Sequence, residues 1–65
     1  MNILVNGKPR EVSAADLPSV LNELGYRNAA IATALNGEFI PNNARVNARL
    51  VEGDRLEVVA PMQGG

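Results

Sequence analysis

The chain lacks the residue types on which many small proteins depend. It has no cysteine and no histidine among its 65 residues, which excludes a disulfide framework and a zinc site built on these two ligands. It therefore also has no cysteine nucleophile and no histidine base for catalysis. A chain of this length forms one domain at most, and its stability must come from a single apolar core.

Aromatic residues and charge of one sign are also scarce. Tyr26 and Phe39 are the only aromatic residues, and the formal net charge is −1. Both features argue against nucleic-acid binding, which relies on stacking and on positive charge. No apolar run approaches the roughly 20 residues of a membrane span, and residues 1–5 lack the basic start of a signal peptide. We therefore expect a cytosolic protein that binds neither nucleic acid nor membrane.

The first hairpin is predicted by an Asn-Gly pair. Asn6-Gly7 separates the apolar run 2–5 from a second segment, 8–12. An Asn-Gly pair favours a type I′ turn, which needs positive φ at both central positions. Pro9 cannot donate to a strand ladder, so we expect the second strand at a sheet edge.

One helix is predicted over residues 17–24. Asp16 is a good N-cap, Pro18 falls in the first turn, where a missing N–H costs little, and Gly25 suits the position that closes a helix. Four apolar residues recur at the spacing of one helical face. They are Leu17, Val20, Leu21 and Leu24. We expect this face to pack against a sheet.

The second half of the chain is predicted to be mostly strand. Residues 30–35 form an apolar run, and Asn36-Gly37 indicates a second hairpin whose return strand is 38–40. Residues 44–50 should be irregular or form a single turn. Residues 52–54 have the composition of a tight turn.

The last predicted strand covers residues 55–60, with Leu56 and Val58 inward and Glu57 and Val59 outward. The order is then β-β-α-β-β-β, an α+β fold. The β-grasp arrangement accommodates it by placing the last strand parallel to the first at the centre of one mixed sheet, with the helix on the sheet's inner face.

The final five residues are predicted to form a tail. Pro61 should end the ladder, and the chain then reaches Gly64 and Gly65, which have no side chains. We expect a domain over residues 1–60 and a flexible tail over 61–65 with a free α-carboxylate. Such a tail can enter a narrow channel in another protein, although a frayed terminus is the simpler interpretation of the residues alone.

Three segments, in this order and spacing, resemble the ThiS-type sulfur carriers of thiamine biosynthesis, a ubiquitin-like β-grasp family. The segments are MNILVNG at 1–7, ALNGEFIP at 34–41 and LVEGDRLEVV at 50–59, which leads into the terminal Gly-Gly. Each is weak alone, but the resemblance covers the whole length of the chain.

The resemblance implies that Gly65 is the site of chemistry. An E1-like adenylyltransferase of the ThiF type would use ATP to adenylate the Gly65 carboxylate. A persulfide donor would then supply the sulfur of a thiocarboxylate, which a ThiG-type thiazole synthase consumes. Gly64 and Met62 would thread into the partner. The chain would bind no cofactor and would act as a co-substrate rather than an enzyme.

Strand alternation predicts a docking face on the side of the sheet away from the helix. Its members are small or apolar, and an exposed patch of this kind often marks a partner surface. They are Leu4, Ala32, Ala34 and Val59. Arg55 and Glu57 are candidates for electrostatic contacts at its rim.

Other functions fit the same residues. A sulfur carrier for molybdopterin synthesis or tRNA thiolation would share the chemistry at Gly65. A ubiquitin-like protein modifier is a further alternative; the single lysine, Lys8, argues against chains of such a modifier but not against its attachment to other proteins. An interaction module with an inert tail is an alternative of a different class.

Overall fold

A five-stranded mixed sheet carries one α-helix on one face in the computed structural model, which describes residues 1–26 and 30–60. The strands are β1 (Asn2–Val5), β2 (Lys8–Glu11), β3 (Ala32–Leu35), β4 (Glu38–Ile40) and β5 (Arg55–Val59). Helix α1 covers Leu17–Glu23, and a 3-10 helix covers Asn42–Asn47. The predicted element order is confirmed, and the 3-10 helix lies partly within the segment expected to be irregular.

The sheet order is β2-β1-β5-β3-β4. Strand β5 is parallel to β1, with Val5 opposite Leu56, and antiparallel to β3, with Thr33 opposite Val58. The last strand therefore occupies the centre of the sheet, as predicted. Strand β2, which contains Pro9, is an edge strand, so the missing N–H of this proline can face outward.

Both Asn-Gly pairs form the predicted hairpin turns. Asn6 and Asn36 each have a φ of 52°, and Gly7 and Gly37 have φ values of 83° and 86°. Positive φ at both central positions is the signature of a type I′ turn. The two turns thus have nearly the same backbone geometry, although they lie at different places along the sheet.

Strand β3 begins at Ala32, two residues later than predicted. Its pairing with β5 begins at Ala32, opposite Val59, where β5 ends. The carbonyl of Ile31 instead accepts a hydrogen bond from the Arg45 guanidinium, whose Nε donates to Thr33 Oγ1 over 3.1 Å. The 3-10 helix is held against the start of β3 in this way. The predicted connection at 27–29 lies outside the described residues.

Helix α1 is capped at both ends as its sequence predicts. The Asp16 carboxylate accepts a hydrogen bond from Ser19 N over 3.0 Å. Gly25, with a φ of 94°, follows the C-cap, and Tyr26 N donates to Leu21 O over 2.9 Å, which makes a Schellman motif. The Glu23 carboxylate accepts from the backbone N–H groups of residues 13 and 14, which ties the end of the helix to the segment that leads into it.

The core lies between α1 and one face of the sheet. Its nine buried apolar residues are Ile3, Val5, Val12, Leu17, Val20, Leu21, Leu50, Leu56 and Val58. Thr33 is the buried polar residue among the described ones, and its hydroxyl donates to Ile40 O over 2.9 Å. Within residues 1–26 and 30–60, no helix is long and apolar enough to cross a membrane.

Candidate docking face and the end of the central strand

The predicted docking residues lie on the sheet face away from α1, which we call the open face. Leu4 and Ala34 are half-buried, Ala32 is exposed, and Val59 is 64% exposed. Their strand neighbours Ile3, Val5, Thr33 and Val58 are buried on the other face, as the two-residue alternation of a strand requires. Their placement on this face is confirmed, whereas docking itself stays a prediction.

The register of β3 and β5 brings three of the four residues together. Ala32 is opposite Val59, and Ala34 is opposite Glu57. Together with Phe39 they line a shallow groove of about 450 Å³ whose polar lining residues include Asn6 and Glu57. A groove of this volume can accommodate several side chains of a partner or a small ligand.

Leu4 lies in a second depression on the same face. This depression has a volume of about 300 Å³, and Arg55 and Glu57 are also among its lining residues. Glu57 therefore borders both depressions and lies within the face, whereas the sequence suggested a rim position. Glu57 lies on the central strand, with apolar lining residues of both depressions around it.

Phe39 also belongs to the open face, although it was not among the docking residues predicted from the sequence. It is 64% exposed and lies opposite Ala34 in the β3–β4 hairpin. The two-residue turn determines that register, because Leu35 and Glu38 must pair next to it. Counting outward from the Asn36-Gly37 turn was therefore enough to place Phe39 beside Ala34.

The predicted tail begins two residues after β5. Strand β5 ends at Val59, and Ala60 is exposed. The tail predicted over 61–65, with Met62, Gly64 and Gly65, lies outside the described residues. What the structure does describe is the strand that leads to this segment, and that strand is held by neighbours on both sides.

The two turn asparagines hold opposite ends of β5. Asn6 Oδ1 accepts from Val58 N over 2.8 Å, and Asn6 Nδ2 donates to Val58 O over 3.1 Å. Asn36 Oδ1 accepts from Arg55 N over 2.9 Å, and Asn36 Nδ2 donates to an oxygen of the Asp54 carboxylate over 3.0 Å. Asn6 thus acts near the end of the strand and Asn36 at its beginning.

The described residues include an exposed apolar face and no cluster of potential metal ligands. Among them, no group of three or more potential ligands of the His, Cys, Asp and Glu types could hold a metal ion. The whole chain has neither cysteine nor histidine. The open face exposes apolar side chains, Phe39 and Val59 among them.

Sequence comparison relates nearly the whole chain to one family. The sequence model of the ThiS family matches residues 3–65. The sulfur carrier protein ThiS of Thermus thermophilus is 38% identical over 63 residues, which cover 97% of this chain and 98% of that protein. A thiazole synthase of Paramagnetospirillum magneticum is 33% identical over 66 residues; the match covers 100% of this chain but only 20% of that protein.

Solved structures give the same result for the fold. A crystal structure of the thiamine biosynthesis protein ThiS from Geobacter metallireducens superposes with a TM-score of 0.81 at 33% identity, and each chain is covered completely. A solution structure of a thiamine biosynthesis protein from the same organism gives a TM-score of 0.82 at 32% identity, with 88% of that chain covered. The fold is therefore the ubiquitin-like β-grasp, as predicted.

Proposed function

Because the chain belongs to the ThiS family, we propose that it is a sulfur carrier protein of thiamine biosynthesis and that Gly65 carries the sulfur. The observation that carries this proposal is the near full-length similarity to a sulfur carrier of almost the same size. The position of β5 supports it, since the central strand leads directly toward the Gly-Gly end.

The proposed chemistry begins with activation of the Gly65 carboxylate, which is a poor electrophile. A carboxylate oxygen attacks the α-phosphate of ATP, pyrophosphate leaves, and an acyl-adenylate forms. A persulfide sulfur then attacks the carbonyl carbon and AMP leaves. A thiol cleaves the resulting acyl disulfide at its S–S bond, which leaves a thiocarboxylate on Gly65. The chain has no cysteine or histidine, so partner proteins supply ATP binding, the persulfide and the acid-base groups.

Three partners follow from this chemistry. An E1-like adenylyltransferase of the ThiF type binds ATP and the tail, a persulfide-bearing protein donates sulfur, and a ThiG-type thiazole synthase accepts the sulfur into the thiazole ring. The last partner has separate support, because a segment similar to this whole chain occurs within a thiazole synthase. The cytosolic location follows from these partners and stays a prediction.

The open face is the proposed docking surface for these partners. Leu4, Ala32, Ala34 and Val59 would contact an apolar partner surface, and Phe39 joins them through the groove it shares with three of them. Met62 and Gly64 would lie in the partner's channel, where glycine meets no steric hindrance. The body then determines the binding affinity and the tail determines which atom reacts.

Deletion of Gly65 tests the carrier function. With an adenylyltransferase from a thiamine pathway, the wild type should support ATP–pyrophosphate exchange, and the deletion variant should fall to the background of the enzyme alone. Gln63→Ala is the matched control, because it alters the tail but keeps its length and carboxylate. Exchange by the deletion variant at the wild-type rate would contradict the proposal.

Intact mass separates the alternative functions. Protein isolated from cells should show replacement of one oxygen by sulfur, located in the C-terminal peptide. An isopeptide link to another protein would indicate a modifier instead, and an unchanged mass under sulfur-replete conditions would favour an inert interaction module. Loss of thiazole synthesis in a deletion strain, with molybdopterin and tRNA thiolation intact, would assign the pathway.

A further inference from the structure

We propose that Asn6 is a positioning residue whose carboxamide holds the end of β5 in the sheet and so sets the direction of the strand from which the chain continues to Gly65. This inference rests on the proposed carrier function, because direction matters only if the carboxyl end must reach a partner's active site. It assigns a functional role to a residue whose sequence signature indicates only a turn.

Strand β1 leaves the side of β5 before β5 itself ends. The parallel ladder between these strands includes Asn6 N, which donates to Leu56 O over 2.9 Å. In a continuing parallel ladder, the C=O of Asn6 would accept from Val58 N, and the N–H two residues further on would donate to Val58 O. The chain instead turns away at Asn6, where φ is 52°, and enters β2. Val58 would then have no backbone partner on this side.

The Asn6 side chain takes the place of the missing strand. Its oxygen accepts from Val58 N over 2.8 Å and its nitrogen donates to Val58 O over 3.1 Å. A carboxamide has the donor and acceptor of a peptide group, so it extends the ladder by one residue. Strand β5 consequently has partners on both sides as far as Val58. Its last residue, Val59, is opposite Ala32 of β3.

A type I′ turn alone does not require this carboxamide. Glycine and aspartate also occupy the first central position of such turns, but glycine has no side chain and an ionised aspartate cannot donate to Val58 O. Only asparagine combines the turn geometry with both hydrogen bonds. Asn36 provides a natural control, because it has the same φ of 52° but bonds Arg55 at the opposite end of β5.

The first experiment measures amide hydrogen exchange in Asn6→Gly, Asn6→Asp and Asn36→Gly. Relative to the amide of Val20, which reports global unfolding, protection of Val58 N–H should fall roughly tenfold in Asn6→Gly, the effect of one lost hydrogen bond. Asn6→Asp keeps the acceptor and should lie between Asn6→Gly and the wild type. Asn36→Gly should lower protection at Arg55 and leave Val58 unchanged. Equal protection of Val58 in all three variants would overturn the proposal.

The second experiment measures adenylation of the same variants by the activating partner. Misdirection of the reacting end should lower kcat roughly tenfold in Asn6→Gly. A rise in KM with unchanged kcat would instead mean that Asn6 acts only as a lining residue of the groove, and would overturn the proposal. Asn36→Gly should retain wild-type kcat. A purely structural role predicts similar losses for both glycine variants, and that result would overturn the proposal.

The two experiments also separate this inference from the carrier function. If the wild type is adenylated and Asn6→Gly matches its kcat, the positioning role is wrong and the carrier function stands. If the wild type is not adenylated, the carrier function is wrong, and Asn6 then has no positioning role in such a function. The exchange measurement still decides whether the carboxamide holds β5.

Discussion

The two faces of the sheet differ in how far their side chains are buried, although the same strands form both. On the face toward α1, Leu56 and Val58 of β5 are almost fully buried, whereas on the open face their neighbour Val59 is 64% exposed. Alternate residues of one strand therefore either fill the core or stay exposed on the face that we propose for docking. Because the two sets alternate along a single strand, a substitution can affect one property with little effect on the other.

The largest expected effect is on stability and concerns the buried face. Leu56→Ala removes a side chain with 0% exposure and should lower the free energy of unfolding by about 2–5 kcal/mol, the cost of a cavity in a packed core. A domain of this length has roughly 0.05–0.15 kcal/mol of stability per residue, or about 3–10 kcal/mol in total, so the variant should lose a large share of its stability. Urea denaturation followed by circular dichroism would measure this loss.

The matched variant on the open face is Val59→Ala, in the same strand. Its loss should stay below about 1 kcal/mol, because the side chain is already mostly in water and only strand propensity is affected. Equal losses at positions 56 and 59 would mean that the open face contributes to the core, and the functional separation of the faces would then be wrong.

The next largest effect should appear in partner binding. Ala34→Arg places a long charged side chain in the groove between Phe39 and Glu57, where it can remain solvated without entering the core. We expect the KM for the activating partner to rise roughly tenfold, or about 1.4 kcal/mol, with unchanged stability. Asn22→Arg adds the same charge to the exposed side of α1 and should change neither quantity. A comparable rise in KM for both variants would indicate a general charge effect.

The smallest expected effect is the pH dependence of the free energy of unfolding that the N-cap of α1 contributes. Hydrogen bonding by Ser19, through its side chain and then its backbone N–H, lowers the pKa of the Asp16 carboxyl below its ordinary value of 3.8. A group whose folded pKa is lowered stabilises the fold fully above the unfolded pKa, and loses this contribution as the pH falls through the folded value. The cap should therefore weaken only below about pH 4.

Asp16→Asn isolates the contribution of the Asp16 carboxylate to this pH dependence, because asparagine also caps helices but does not titrate in this range. The free energy of unfolding of the wild type should fall more steeply than that of Asp16→Asn between about pH 4 and pH 2, and the two should run parallel above that range. Identical slopes throughout would show that the Asp16 carboxylate has the same pKa in the folded and unfolded chains.

Much of the architecture could be predicted because its causes are local. The turns at Asn6-Gly7 and Asn36-Gly37 follow from the conformational preferences of two residues, and the limits of α1 follow from Asp16 and Gly25. The start of β3 could not be predicted in the same way. It depends on where β5 ends and on Arg45, which lies 14 residues from the carbonyl of Ile31 that it bonds.

The candidate site shows the same division between local and distant causes. The period-two pattern placed Leu4, Ala32, Ala34 and Val59 on one face, but the grouping of the last three depends on the register between β3 and β5. The second role of Asn6 was also hidden, because its partner Val58 is 52 residues away in the chain. A turn residue shows its local conformation in the sequence but not the distant strand that its side chain contacts.

The amino-acid sequence alone determined the order of the strands and the helix, the turn geometry, the alternation of buried and exposed positions, and the resemblance to a carrier family. These properties depend on residues that are close in the chain or on the pattern as a whole. Only the tertiary structure decided which open-face residues share a groove, how Glu57 lies among them and what holds the end of β5. These properties depend on contacts between segments far apart in the chain, and the folded backbone sets the distances between them.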